Sequence, residues 1–304
     1  MNKIKLWIKA SRAPFLTASL ISVILGAVMA WNLTGEIHWL KLILTAFGVI
    51  FVHSGTNLVN DYFDHKSNLD EINENHNMFS GGSRVIQEKE LSPKAMLTAG
   101  LLCFAATAII GFYLNSITKG NVILYIGIAG FFIGYFYTAK PLKLGYTALG
   151  EIITVVACGP LIVYGTYFVL AQTHALQPLL ASIPVGVLVG LILYINEFQD
   201  HDADRAVGKK TLVIVFGKAK AIKLFYIFLI FNYIWVIIGV ILNWFPIFTL
   251  AVILTLPICV KAMKVASVNF DKINELLPAN GATIGLHMIF GILFSLGFAL
   301  DKLI

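Results

Sequence analysis

Nine stretches of about 20 residues, almost free of charge, dominate this chain: roughly 14–32, 39–58, 94–115, 121–138, 147–171, 176–197, 222–242, 245–263 and 281–300. A helix of about 20 apolar residues crosses the hydrocarbon core of a bilayer, and only a helix satisfies its backbone N–H and C=O groups within its own segment there. The stretches therefore predict an all-α polytopic membrane protein with nine transmembrane helices. Composition excludes the soluble alternative. Hydrophobic residues make up 58% of the 304 residues and charged residues 12%, and so few charges do not cover a soluble surface. The breaks suit turns: Asn115 to Lys119, Lys140-Pro141, and Asn243-Trp244-Phe245-Pro246. The first span follows Lys3, Lys5, Lys9 and Arg12, as the apolar core of a secretory signal does. The spans beyond it, and the lack of a small-x-small cleavage site, predict a retained helix instead. Cys103, Cys158 and Cys259 each stand alone in apolar surroundings and read as small buried hydrophobes.

The formal charge of +6 has a topological explanation. With the N-terminus inside and the loops alternating, only Lys41, Lys119 and Lys302 of the 22 basic residues fall outside. The excess of Lys and Arg on cytoplasmic loops orients membrane proteins. The N-terminus is thus expected in the cytoplasm, and no nucleic-acid partner is inferred from the charge.

The 16 acidic residues are distributed very unevenly. Asp61, Asp64, Asp70, Glu71 and Glu74 follow the inner end of the second span, and Glu197, Asp200, Asp202 and Asp204 follow that of the sixth. One stretch reads Asn60-x3-Asp64-x3-Asn68 and the other Asn196-x3-Asp200-x3-Asp204. Residues four apart share a helix face, so each stretch projects a ladder of oxygen donors. Carboxylate and amide oxygens are hard ligands that suit Mg²⁺, which takes one or two carboxylates, water and the oxygens of a phosphate. Two facing ladders would hold Mg²⁺ around one diphosphate. Cations accompany both: Arg84 after Gly81-Gly82-Ser83, and Arg205, Lys209 and Lys210 after Asp204. They either hold phosphate oxygens or retain the loops in the cytoplasm. Arg12, just before the first span, is open to the same two readings. His53, one turn before Asn57, reads as a packing residue. Acids at a membrane edge also suit a cation transporter. The placement of both motifs on same-direction helices at the inner edge favours an enzyme.

Asn60-Asp-Tyr-Phe-Asp64 resembles the first aspartate-rich motif of the UbiA-type membrane prenyltransferases, and Asn196-Glu-Phe-Gln-Asp-His-Asp-Ala-Asp204 resembles their second. Several stretches are similar to the 1,4-dihydroxy-2-naphthoate branch of that family: Thr56 to Asp64 followed by Asp70, Gly81 to Gln87, Leu144-Gly145-Tyr146, Leu149-Gly150-Glu151, Gly159-Pro160-Leu161, Gly165-Thr166-Tyr167, and Asp204-Arg205 with Gly208 to Leu212. The resemblance covers about 56 to 217. It implies one domain over 1–304, built round a central cavity open to the cytoplasmic side of a bacterial cytoplasmic (inner) membrane. It also implies Mg²⁺-dependent transfer of a polyprenyl group from its diphosphate to an aromatic acceptor, both handled within membrane lipid. In the naphthoate branch the acceptor loses CO₂ and a demethylmenaquinone results. 4-Hydroxybenzoate is the alternative acceptor. The metal set so implied is Asn60, Asp61, Asp64, Asp70, Asn196, Asp200 and Asp204. Many family members carry an aspartate where this chain has Asn68, so either Asn68 or Asp70 completes the first ladder. Arg12, Arg84, Lys209, Lys210 and Lys140 are the expected diphosphate-binding cations. Glu151 is expected to orient the acceptor, act as a base, or make a buried hydrogen bond. Phe131, Phe132, Tyr135, Phe136, Tyr137, Tyr164 and Tyr167 are candidates to shield an allylic cation.

Overall fold

The structure, a computed structural model, describes residues 2–304. It opens with a short basic helix, α1 (Lys3–Ala10), then α2 (Leu16–Thr34), α3 (Trp39–Lys66) and the single turn α4 (Leu69–Ile72). After a loop come α5 (Pro93–Ser116) and α6 (Val122–Phe136). Next, α7 (Gly150–Val156) runs through a π-type turn (Ala157–Leu161) into α8 (Ile162–Ala171). Then follow α9 (Gln177–Ala206), the short α10 (Leu212–Phe216), α11 (Lys218–Ile241), a 3₁₀ stretch (Ile247–Thr255) leading into α12 (Leu256–Asn269), and α13 (Ile273–Leu303). Local chemistry sets the ends. Gly35, at φ +76°, closes α2 with its N–H on Trp31 O, the left-handed cap that glycine adopts without steric cost. Ser92 caps α5 by accepting from the N–H of Ala95, with Pro93 in the first turn, where its missing N–H costs nothing.

Among the described residues, eight helices are long and apolar enough to cross a membrane. The expected fourth span contains α6, whose 15 residues reach about 22 Å at 1.5 Å per residue, short of a hydrocarbon core of about 30 Å. The nine-span expectation thus becomes eight such helices and one shorter apolar helix.

α9 is the hub: 72% of its apolar window is buried, against 17% for α5. Around it pack Leu25 and Tyr167 from α2 and α8, Phe225 from α11, and Phe290 and Phe294 from α13. At the π-type turn Pro160 lacks an N–H, which favours an irregular turn over an α-turn. There Gly159 crosses α9 at Gly186, so closely that a Cβ on Gly159 would lie 2.9 Å from the Gly186 Cα. Three helices are much longer than a membrane crossing requires: α13, with 31 residues, and the two that carry the acidic motifs. α3 has 28 residues and α9 has 30, about 42 and 45 Å. Their extra turns carry the two acidic motifs beyond the most apolar part of the bundle.

Candidate active site

Between α3 and α9 lies a cavity of about 620 Å³, also walled by residues of α2, α5, α6 and the α7–α8 turn. Its head is polar: Arg12, Asn60, Asp64, Asp70, Asn73, Asn196, Asp200, Asp204 and Lys209 all line it. The remainder is mostly apolar, with Phe104, Phe112, Ile123, Ile128 and Val169 on its walls.

The two motifs reach the head differently. α9 continues to Ala206, so Asn196, Asp200 and Asp204 lie along one helix face. α3 ends at Lys66, and Asn68 adopts φ +61°. Asn68 is therefore off the ladder, and the chain folds back to bring Asp70 into the cavity from α4. Asp64 Oδ1 accepts from the Tyr146 hydroxyl at 3.0 Å, and that hydroxyl is 2.7 Å from Ser67 Oγ. Lys209 sits 2.9 Å from Asp204 Oδ1 and 4.9 Å from the centre of the Tyr146 ring. Asn73 Nδ2 donates to Asp200 Oδ1 at 2.7 Å, and Asn196 Nδ2 donates to Phe79 O at 3.0 Å. The loop after α4 is thereby fastened onto α9. Gly82, at φ +77°, passes the Asp70 carboxylate so closely that a Cβ there would lie 3.0 Å from Oδ2.

The electrostatics at the head balance charge against burial. Burial and the nearby Asp64 and Asp61 carboxylates push Asp70 up to about 8. Burial lowers Lys209, but Asp204 and Asp64 outweigh it and hold the ammonium well above its usual range. Arg12 is raised in the same way, by Asp61, Asp70 and Asp64 acting against burial.

Not every residue expected at the site lines the cavity. Asp61, expected among the metal ligands, has one oxygen paired with Arg12 and the other bonded by the N–H and hydroxyl of Ser83. It anchors the Arg12 side chain. Arg84 donates to the Asp70 carbonyl and braces the loop. Lys140 and Lys210 are exposed and absent from the wall. Glu151 is buried, and its Oε1 accepts from the N–H of Leu212 at 2.7 Å, which ties α7 to the segment just beyond Lys209. It too is off the wall. Asn60 lines the cavity while its Oδ1 accepts from Thr138 at 2.8 Å, and the Asn196 carbonyl accepts from Asn280 at 2.6 Å. Of the candidate aromatics, Phe131 and Tyr137 line the cavity, whereas Phe132, Tyr135, Phe136, Tyr164 and Tyr167 do not. Asn73, Thr138 and Asn280 had no spacing signal in the sequence. Tyr146 stood in a recognisable pattern, but nothing there assigned it to Asp64.

The donor set fits Mg²⁺. Asp64, Asp70, Asp200 and Asp204 all open onto the polar head, and Mg²⁺ sites with substrate phosphates take one or two carboxylates per ion and the remaining oxygens from phosphate and water. Among the described residues, no protein group hydrogen-bonds Asp64 Oδ2 or either Asp70 carboxylate oxygen.

Relatives share both sequence and fold. The chain is 31% identical to a 1,4-dihydroxy-2-naphthoate octaprenyltransferase from Bacillus subtilis, over 97% of this chain and 92% of that one. It is 26% identical to a 2-carboxy-1,4-naphthoquinone phytyltransferase from Synechocystis, over 97% and 93%. A solved UbiA homologue from Archaeoglobus fulgidus, bound to DMAPP and Mg²⁺, superposes with a TM-score of 0.66 at 15% identity, covering 95% of this chain and 99% of that chain. The model of the UbiA prenyltransferase family matches residues 19–280, and the chain belongs to that family.

Proposed function

We propose that this prenyltransferase moves a polyprenyl group from polyprenyl diphosphate to 1,4-dihydroxy-2-naphthoate, with loss of CO₂, as a step in menaquinone biosynthesis. The observation that carries the reading is the cavity itself: two acidic motifs from separate helices meet at the polar head of one long apolar space. That shape suits a molecule with a diphosphate at one end and a hydrocarbon at the other. The acceptor assignment draws on the naphthoate names of the Bacillus subtilis and Synechocystis relatives and on the loop and turn patterns around Gly81–Gln87 and Leu144–Tyr146.

Asp64, Asp70, Asp200 and Asp204, with the Asn60 and Asn196 carbonyls at the same head, are the residues to hold Mg²⁺. Bound there, Mg²⁺ offsets the negative charge that grows on a departing diphosphate. Lys209 and Arg12 are charged and face the same space, placed to donate to phosphate oxygens. The apolar wall keeps water from the allylic centre. Phe131 and Tyr137, on the cavity wall, are the aromatic groups to stabilise a cation without reacting with it. The electron-rich acceptor ring then attacks the allylic carbon. The head belongs on the cytoplasmic side, because nearly all basic residues sit in the loops at that end.

The deciding experiment supplies purified protein with Mg²⁺, geranylgeranyl diphosphate and either 1,4-dihydroxy-2-naphthoate or 4-hydroxybenzoate, and reads products by mass. A prenylated, decarboxylated naphthoquinol is the expected product. Prenylated 4-hydroxybenzoate in its place would keep the chemistry and overturn the acceptor.

A further inference from the structure

We infer that the Ser19–His53 pair is the subsite that takes a ring hydroxyl of the aromatic acceptor and orients its ring for attack. The inference rests on the proposed prenyl transfer and specifies how the second substrate is held. His53 stands on α3 and lines the cavity, and its Nδ1 lies 2.7 Å from the Oγ of Ser19 on α2. Ser19 is only 2% exposed. Among the described residues, no protein group bonds the other ring nitrogen, Nε2. The pair is thus a part-buried hydrogen-bonding group on the cavity wall, with one ring nitrogen satisfied and the other without a partner among the described residues.

Position selects the ligand. His53, Asn57, Asn60 and Asp64 follow one another at four-, three- and four-residue steps on the cavity face of α3. His53 lies seven residues from Asn60 and eleven from Asp64, about 10 and 16 Å along the axis. It therefore stands beyond the diphosphate head, where the allylic carbon and the ring attacking it must meet. A prenyl chain has no group for an imidazole to bond, and burying a polar pair beside hydrocarbon alone is costly. A hydroxylated aromatic has such a group. One well-placed polar contact in an apolar wall is the usual means of fixing a ligand's orientation.

The test measures equilibrium binding in detergent under reducing conditions, with 1,4-dihydroxy-2-naphthoate and the hydroxyl-free 2-naphthoate as acceptor probes and geranylgeranyl diphosphate with Mg²⁺ as donor probe. His53→Phe should weaken binding of the dihydroxy acceptor about tenfold, the worth of one buried hydrogen bond, and leave the donor Kd within twofold. His53→Gln, whose amide reaches the Nε2 position, should recover most of the loss. 2-Naphthoate, which has no ring hydroxyl to bond, should bind the wild type and His53→Phe equally. Ser19→Ala should show a smaller loss in the same direction. Unchanged acceptor binding in His53→Phe would overturn the subsite, as would equal losses for donor and acceptor, which mark a structural role in joining α2 to α3. Donor binding by a wild type that takes no hydroxylated aromatic would overturn the subsite and the acceptor class together while leaving the donor site standing. A wild type that binds neither would overturn the prenyl-transfer reading itself.

Discussion

The two acidic motifs read almost alike in the sequence and are built in different ways. The second belongs to α9, the most buried helix, and holds its three rungs by continuous helical backbone from Asn196 to Asp204. The first is assembled from parts. Asp64 comes from the last turns of α3, Asp70 from the one-turn helix α4, and the left-handed Asn68 lies between them. Side chains replace the missing helix: Tyr146 and Ser67 hold Asp64, and Asn73 ties the returning loop to Asp200. A four-residue spacing aligns donors only while the helix lasts, so the same pattern yields a fixed platform on one side and a tied loop on the other. A loop held by a few side-chain bonds opens at less cost than a core helix. Entry and exit of the diphosphate is therefore expected to move the first motif and leave the second in place.

Removing a carboxylate from each side tests whether the two motifs share one task. Asp64→Ala and Asp200→Ala should each lower kcat/KM for prenyl transfer by about 10³-fold, the scale of losing a group that stabilises developing charge. A large loss for Asp200→Ala alone would mean that the assembled side does not hold the reacting diphosphate. The cations come next. Lys209→Ala should cost about 30-fold, because a buried ammonium facing Asp204 is lost from the wall. The exposed Lys210→Ala and Lys140→Ala should stay within twofold, and a loss at Lys210 equal to that at Lys209 would show that net loop charge matters more than position. Within the first motif, Asp70→Ala should raise the Mg²⁺ concentration for half-maximal activity about tenfold, whereas Asn68→Gly should barely change it. The reverse result would restore the straight ladder that the spacing suggested.

What the sequence revealed follows the range of the forces involved. The apolar spans were legible because a bilayer imposes one length and one hydrogen-bonding rule on every crossing. Even there the length of α6 was overread, since its apolar run continues into Tyr137 and Thr138, past the end of its helix at Phe136. That Asp64, Asp200, Asp204 and Lys209 gather at one place, the head of the cavity, was legible because acids and a cation beside a membrane are conspicuous. Asp61 was misplaced for the same reason. Its charge made it a ligand candidate, but one residue is about 100° of helix, which turns it from the cavity towards Arg12 and Ser83. Asn73, Tyr146 and Asn280 were not legible as site residues, because their contacts join segments 127, 82 and 84 residues apart. No periodicity encodes such pairings. His53 read as a packing residue of an apolar span, and only the Ser19 contact and the cavity wall give it another position.

Asn73 offers the finest test of the difference between the two sides. Its side chain is buried and spans from the assembled motif to Asp200 on the continuous one. Losing a single bond of this kind costs about 1 kcal/mol, so Asn73→Ala should lower kcat/KM only about fivefold. The loss should be accompanied by faster protease cleavage between Asn73 and Ser92, because the loop has lost a tie to α9, while cleavage elsewhere is unchanged. Asn73→Asp should be worse than Asn73→Ala, since it sets a second carboxylate against Asp200 and replaces an attraction with a repulsion. Added Mg²⁺ should narrow the gap between the two variants by screening that repulsion at the head of the cavity. Equal activity and equal protection in both variants would mean that the loop is held by other contacts and that the two motifs act independently.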